Sequence, residues 1–324
     1  MKYSPAARRS QAEIASTRPH HDDMTNTSAA DRDHLSRFLL DASGIRGVLV
    51  HLDDTWQAIR QRSAYPEPVA AQLGETCAAA ALFTGHVKVD GRLSVQLRGT
   101  GALRTLFAEC TAAGTLRGIA HFNEPLPEPL TPRAFGPDSV LAITIENHGL
   151  GSQDPQRYQG LVGLDADELT DAFESYFSQS EQLPTRVLLA ANADRAAALM
   201  LQQLPQARPE DSDGWARASA LFSTLGASEL LDLQAETLLW RLFHDEGVRI
   251  LNRQPLRFAC SCSRARVEDM LRSLGQDEAM AACTTGQAEI HCDFCGQSYQ
   301  FSPEQVIGLF HASDATAPGS TLLQ

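Results

Sequence analysis

The chain has no apolar run approaching the roughly 20 residues needed to cross a bilayer; its best candidates are short stretches such as residues 77–83. The amino terminus, MKYSPAARRSQAEIASTRPHHDDM, lacks the apolar segment of a secretory signal. These absences make the cytoplasm the expected location and leave no membrane partner. Positive charge is in deficit, with 27 Lys and Arg against 40 Asp and Glu and a net charge of −13. Proteins that grip a phosphate backbone rely on a basic surface, so nucleic acid is not an expected partner. Cysteine is sparse, at 7 in 324 residues. In a reducing compartment, thiols that cluster read as metal or redox chemistry before they read as structural disulfides. Internal repeats and low-complexity tracts are missing too.

Catalytic signals are absent as well. The GTG at 99–101 is not followed by G-K-[ST] and reads as a turn, not a phosphate loop. His51 with Asp53 and Asp54 reads as a solvated turn between strand and helix, not an acid–base set. The expectation is a protein that is not an enzyme, with no catalytic or cofactor-binding residues.

What is present is an ordinary globular composition, 43% apolar and 21% charged, with room for two or more domains. Residues 1–30 are polar and aperiodic and read as a disordered extension. From 31 to 206, helix and strand signals mix into an α+β domain. A helix is expected at 31–40, and a buried Ala-rich one at 69–85 with Cys77 as a small core residue. VKVDGRLSVQLRG alternates at Val87 and Val89 before Asp90-Gly91, and at Leu93, Val95 and Leu97 after it, which predicts a β-hairpin. Further strands are expected at 117–122, 140–146, 157–163 and RVLLAA after Pro184, with a helix at 165–178.

The charged, proline-bearing PQARPEDSDG at 205–214 marks a boundary. A helical linker, 207–254, follows. Its helical part, 215–246, carries Leu221 with Leu225, and Leu238 and Leu239 with Leu242 and Phe243, at i, i+4 spacing, and Gly247 stops it. Its apolar face is too small to form a core alone and must dock elsewhere. The last segment, 255–324, has a charged helix at 264–274, a short strand at 298–301, and a helix opened by Ser302, Pro303 and Gln305 as a capping box.

This last segment holds the chemistry. CSCS places Cys260 and Cys262 one residue apart, and HCDFCG places Cys292 and Cys295 in a C-x-x-C knuckle. Two bidentate ends supply four thiolates to a tetrahedral ion. Zinc is the first choice, with iron or an iron–sulfur cluster the alternative. His291 and Cys283 are extra donors nearby, but two complete pairs need neither. A structural zinc contributes about 10–16 kcal/mol of apparent binding free energy, comparable to the stability of a whole domain. Metal loss should therefore unfold this tail. On spacing alone, the four cysteines read first as a passive zinc clip and only second as a redox switch.

RYQGLVGLD (157–165), YFSQSEQLPTR (176–186), LLWRLFHDE (238–246), FACSCSR (258–264) and HCDFCGQSY (291–299), in that order, resemble the redox-regulated thirty-three-kilodalton heat-shock chaperone family of bacteria. The likeness spans about residues 32–311. It implies an ATP-independent holdase for unfolding proteins, inactive while reduced and zinc-bound, and activated when oxidation releases the metal. It implies that Cys260, Cys262, Cys292 and Cys295 hold one zinc ion, and that 260 pairs with 262 and 292 with 295 when oxidised. It also implies a metastable linker lying on an N-terminal domain that binds clients and dimerises, and a homodimer as the active form. Cys77, Cys110 and Cys283 lie outside the family's motif. Two other classes remain: a zinc ribbon that binds nucleic acid through Arg257, Arg264, Arg266 and Arg272, and a thiol–disulfide oxidoreductase using the C-x-x-C pair.

Overall fold

The computed structural model describes residues 32–148, 156–205, 213–283 and 286–311. The expected extension 1–30 and most of the boundary stretch 205–214 lie outside the described residues. The fold is α+β, as expected, and is organised in layers around one long helix.

That helix, α2 (Glu67–His86), follows the short α1 (Asp54–Arg60). Alanines and glycines let it sit in the centre with nearly every residue from Val69 onward buried. Small side chains bring both sheets close: a Cβ at Gly74 would meet Ala191 at 2.6 Å, and one at Gly118, on a facing strand, would meet Cys77 Sγ at 2.5 Å. On one side lies a six-stranded sheet ordered β11-β5-β4-β3-β6-β7. Its strands are β3 (Arg92–Arg98), β4 (Leu103–Thr111), β5 (Thr115–Phe122), β6 (Val140–Asn147), β7 (Gln156–Gly163) and the two-residue β11 (Arg257–Phe258). On the other side lies a five-stranded antiparallel sheet ordered β10-β1-β2-β9-β8. It contains β1 (His34–Leu40), β2 (Ile45–Leu52), β8 (Thr185–Ala191), β9 (Ala196–Gln203) and β10 (Val248–Pro255). Between β7 and β8, α3 (Leu169–Ser180) sets Phe173 and Phe177 edge-on to Phe83 of α2 at 5.0 Å.

The five-stranded sheet is covered on both faces. Leu35, Val48, Val50 and Ala198 enter the core around α2. Phe38, Ile45, Leu49 and Leu199 enter a second core under α4 (Gly214–Phe222), α5 (Ala227–Asp232) and α6 (Ala235–Phe243). The tail is separate: α7 (Arg264–Leu274), α8 (Gln276–Ala281), the β12 (Ala288–His291)–β13 (Ser298–Phe301) ribbon and α9 (Pro303–His311) enclose a small core of Val267, Leu271, Ala279, Ala288, Phe301 and Val306.

Five local expectations are corrected. Residues 34–40 form strand β1, not a helix, because they pair with β2 on one side and β10 on the other. The hairpin across Asp90-Gly91 does not form: α2 runs to His86, and β3 pairs with β4 and β6 instead. Gly91 packs tightly against β6, where a Cβ would meet the Glu146 carbonyl at 2.1 Å. The helical span 215–246 is broken into α4, α5, α6 and a 3-10 turn (His244–Glu246). Ser223 and Thr224 hydroxyls take the Ser219 and Leu221 carbonyls at the end of α4, competing with helix continuation. Residues 248–254, expected in the helical linker, belong to β10, an edge strand blunted by charged side chains such as Arg249 and Arg253.

The fifth correction concerns His51. It is buried at 7% exposure in β2, not solvated, and its Nε2 donates to the Leu230 carbonyl of α5 at 2.9 Å. Beside it, Asp33 Oδ1 accepts from the Asp53 and Thr55 amides at the start of α1. The group is structural. GTG at 99–101 is a turn, joining β3 to β4.

Candidate metal centre

Two local structures deliver the four cysteines. The first pair sits where the chain leaves β11 and enters α7, whose N-cap Ser263 accepts from the Arg266 amide at 3.3 Å. Capping commits the chain to a helix immediately after Cys262 and fixes the direction of the pair. The second pair spans the turn between β12 and β13. There the Cys292 carbonyl accepts from the Cys295 and Gly296 amides at 3.3 and 2.7 Å, while the Cys292 amide donates to Gln297 O at 2.9 Å. Gly296 closes the turn at φ +72°, a conformation glycine adopts without steric cost.

The ligand atoms of Cys260, Cys262, Cys292 and Cys295 all lie within 4.8 Å of one another. The short distances run between the pairs: Cys260 to Cys292 is 3.6 Å and Cys262 to Cys295 is 3.3 Å. Sulfurs held ~2.3 Å from a common centre in a tetrahedron lie ~3.8 Å apart, so the cluster has the size of a four-thiolate site. His291 is outside it, exposed and 3.5 Å from Glu289. Cys283 packs on the tail core, its thiol directed at the Ala279 carbonyl. Cys77 and Cys110 are buried in the main core, where burial pushes Cys110 up to about 12 and Cys77 higher still. Neither is a thiolate at neutral pH.

Tyr299 escaped the sequence reading. Its hydroxyl donates to Cys262 Sγ at 3.2 Å. The ribbon register, Ile290 opposite Tyr299, sets it beside the knuckle. Its only signal was its place in HCDFCGQSY. Burial works against ionising Cys262, but hydrogen bonds from Tyr299 and the other thiols bring it down to about 7. Burial together with bonding to Cys262 raises Cys295 to about 12, and burial also raises Cys260. Four thiolates packed at these distances repel one another, so ionising all of them needs a compensating positive charge. A dication is what would let all four ionise.

A profile of the Hsp33 protein family matches residues 33–302. The chain belongs to the Hsp33 family. Curated relatives agree: the 33 kDa chaperonin of Pseudomonas fluorescens strain Pf0-1 is 42% identical over 91% of this chain and 99% of its own length. That of Ectopseudomonas mendocina is 43% identical over 89% of this chain and 99% of its own length. The solved structure of the 33 kDa chaperonin of Thermotoga maritima superposes with a TM-score of 0.73 at 21% identity, covering 88% of this chain and 99% of that one. The Thermotoga maritima protein therefore shares this fold along nearly its whole length.

Proposed function

We propose that this protein is a redox-regulated, ATP-independent chaperone that holds unfolding proteins and is not an enzyme. The observation that carries the reading is the convergence of Cys260, Cys262, Cys292 and Cys295 within 4.8 Å in a tail whose own core is small. Family membership, and relatives named 33 kDa chaperonin, support the chaperone part.

In this reading Cys260, Cys262, Cys292 and Cys295 hold one zinc ion. Bound zinc would supply four sulfur bonds that close the tail and keep all the thiols ionised. Peroxide then takes two electrons from each cysteine pair, 260 with 262 and 292 with 295. One S–S bond forms per pair, the metal is released, and each peroxide is reduced to water. Without its metal the tail loses order. Residues 207–254 act as the metastable linker between an N-terminal domain (31–206) that binds clients and dimerises and a switch domain (255–324).

The linker helices suit this role. Leu238, Leu239, Leu242 and Phe243 are buried against the five-stranded sheet. Lifting them would bare two apolar faces at once, and exposed apolar area is what binds unfolded chains. The active species is a homodimer, and the setting is the cytoplasm, whose reducing poise keeps the resting state metal-bound. No helix among the described residues is long and apolar enough to cross a membrane.

The competing readings have less support. Arg264 and Arg272 are engaged with Glu268, and Arg272 also with Asp269, which speaks against a free phosphate-binding surface. Cys292 and Cys295 lie in a β-turn, not at the start of a helix as in C-x-x-C oxidoreductases. The test is to follow zinc with a chromogenic chelator while peroxide is added at raised temperature, reading client light scattering on the same samples. Zinc release and aggregation suppression should appear together and reverse on reduction. Zinc release without suppression would leave only a structural clip.

A further inference from the structure

The knuckle carries a side chain that the metal site does not use. Phe294, between Cys292 and Cys295, takes no part in the tail's core. Its ring instead lies edge-on to Phe107 of β4, with centroids 5.6 Å apart and planes at 65°. Arg117 of β5 places its guanidinium 4.3 Å from the same ring. Alternation along β4 sends Leu106, Ala108 and Cys110 into the core around α2, so Phe107 and Glu109 share the opposite face.

Three details show a built slot. Glu109 and Arg117 stand opposite each other across β4 and β5 and form an ion pair at 3.0 Å, their side chains only 8% and 14% exposed. Arg117 Nε is buried with no hydrogen-bond partner. A guanidinium in that condition is costly unless something else compensates it, and the face of Phe294 is the group in position to do so. A second contact runs beside the first: Arg62 lies 4.9 Å from the Phe258 ring and reaches the Cys295 carbonyl at 3.5 Å.

We propose that Phe294 is a positioning residue for the switch, the contact through which the metal-bound knuckle holds the C-terminal segment against the N-terminal domain. This rests on the chaperone reading above and adds the route by which the sulfur site is sensed. The knuckle turn gives Phe294 a rigid mount only while the four sulfurs hold the turn. When they let go, the ring leaves the slot, Phe107 and Arg117 are uncovered, and Arg62, which packs on Phe258 of β11, loses the Cys295 carbonyl that holds it in place. The pairing at stake is short: Arg257 and Ala259 amides donate to Gly114 and Leu116 carbonyls at 2.9 and 3.1 Å.

The test uses the full-length, reduced, zinc-loaded protein, with Phe294→Ala and the ring-preserving Phe294→Tyr beside the unsubstituted chain. Phe294→Ala should keep the same zinc content. Its amide exchange at 257–259 should rise roughly three- to tenfold, as loss of one cation–π contact predicts. Peroxide-driven zinc release should quicken in the same proportion, and Phe294→Tyr should restore both. Unchanged exchange in Phe294→Ala would overturn the proposal. So would loss of zinc from the reduced variant, since Phe294 would then serve the tail's own fold. Failure of the oxidised unsubstituted protein to suppress aggregation would sink the chaperone reading instead, while the exchange result would still decide the contact.

Discussion

Glu75 is a carboxyl on the central helix whose burial, reinforced by Glu168, lifts it to about 8. In the unfolded chain such a group ionises near pH 4.3. Between these values the folded protein keeps a proton that the unfolded one sheds, so this contribution to stability is full below about pH 4 and is lost as pH rises through 8. Glu75→Gln should therefore stabilise the protein at pH 7.5 by on the order of 1–2 kcal/mol and flatten the pH dependence between 5 and 8. Denaturant midpoints across that range check it, and a destabilised variant would show that the carboxylate has a partner worth more than its burial costs. His51 runs the other way. Burial lowers it, against the opposing bond to Leu230. Its stabilising effect is complete above about pH 6.5 and is lost as pH falls toward its depressed value, because the undocked ring takes a proton the docked ring refuses. Acidification from pH 7.5 to 5.5 should loosen α5 in hydrogen exchange corrected for intrinsic rates, and His51→Gln should abolish that dependence.

Among the elements, α6 decides whether the linker stays down. Leu238 is fully buried against the sheet. Leu238→Ala should cost about 2–4 kcal/mol of docking. In the reduced, zinc-bound protein it should raise exchange across 214–246 and yield partial suppression of client aggregation without oxidant. If exchange rises and suppression does not, the linker is not the surface that shuts the protein off. The elements also differ in how legible they were. Helix α7 runs over 264–274 and α9 opens on its capping box, with Ser302 Oγ accepting from the Gln305 amide at 3.3 Å and Gln305 Oε1 accepting from the Ser302 amide at 3.0 Å. These signals are local. Strand β9 gave no usable period, since residues 196–201 are all apolar, alternate ones serving two cores. Strand β1 was misread because one of its two partners, β10, lies far along the chain, although the other, β2, follows it closely.

For the molecule as a whole, stability is uneven. The core around α2 draws on both sheets, whereas the tail closes on six buried apolar side chains and four sulfurs. Removing the metal with a chelator under reducing conditions should melt 264–311 while β1 to β9 stay protected from exchange. A tail that stays ordered without metal would deny the switch its trigger. The sequence by itself determined the two close cysteine pairs, the buried alanine-rich helix and the capping box of α9. Each of these depends on residues within a turn or two of one another, where spacing and backbone chemistry suffice. Only the tertiary structure decided that 34–40 and 248–255 are neighbouring strands, that His51 is sealed beneath α5, and that Phe294 sits on Phe107 and Arg117. Strand partners and packed side chains are chosen by groups far away in sequence, competing for the same buried surface, and no local pattern records the winner.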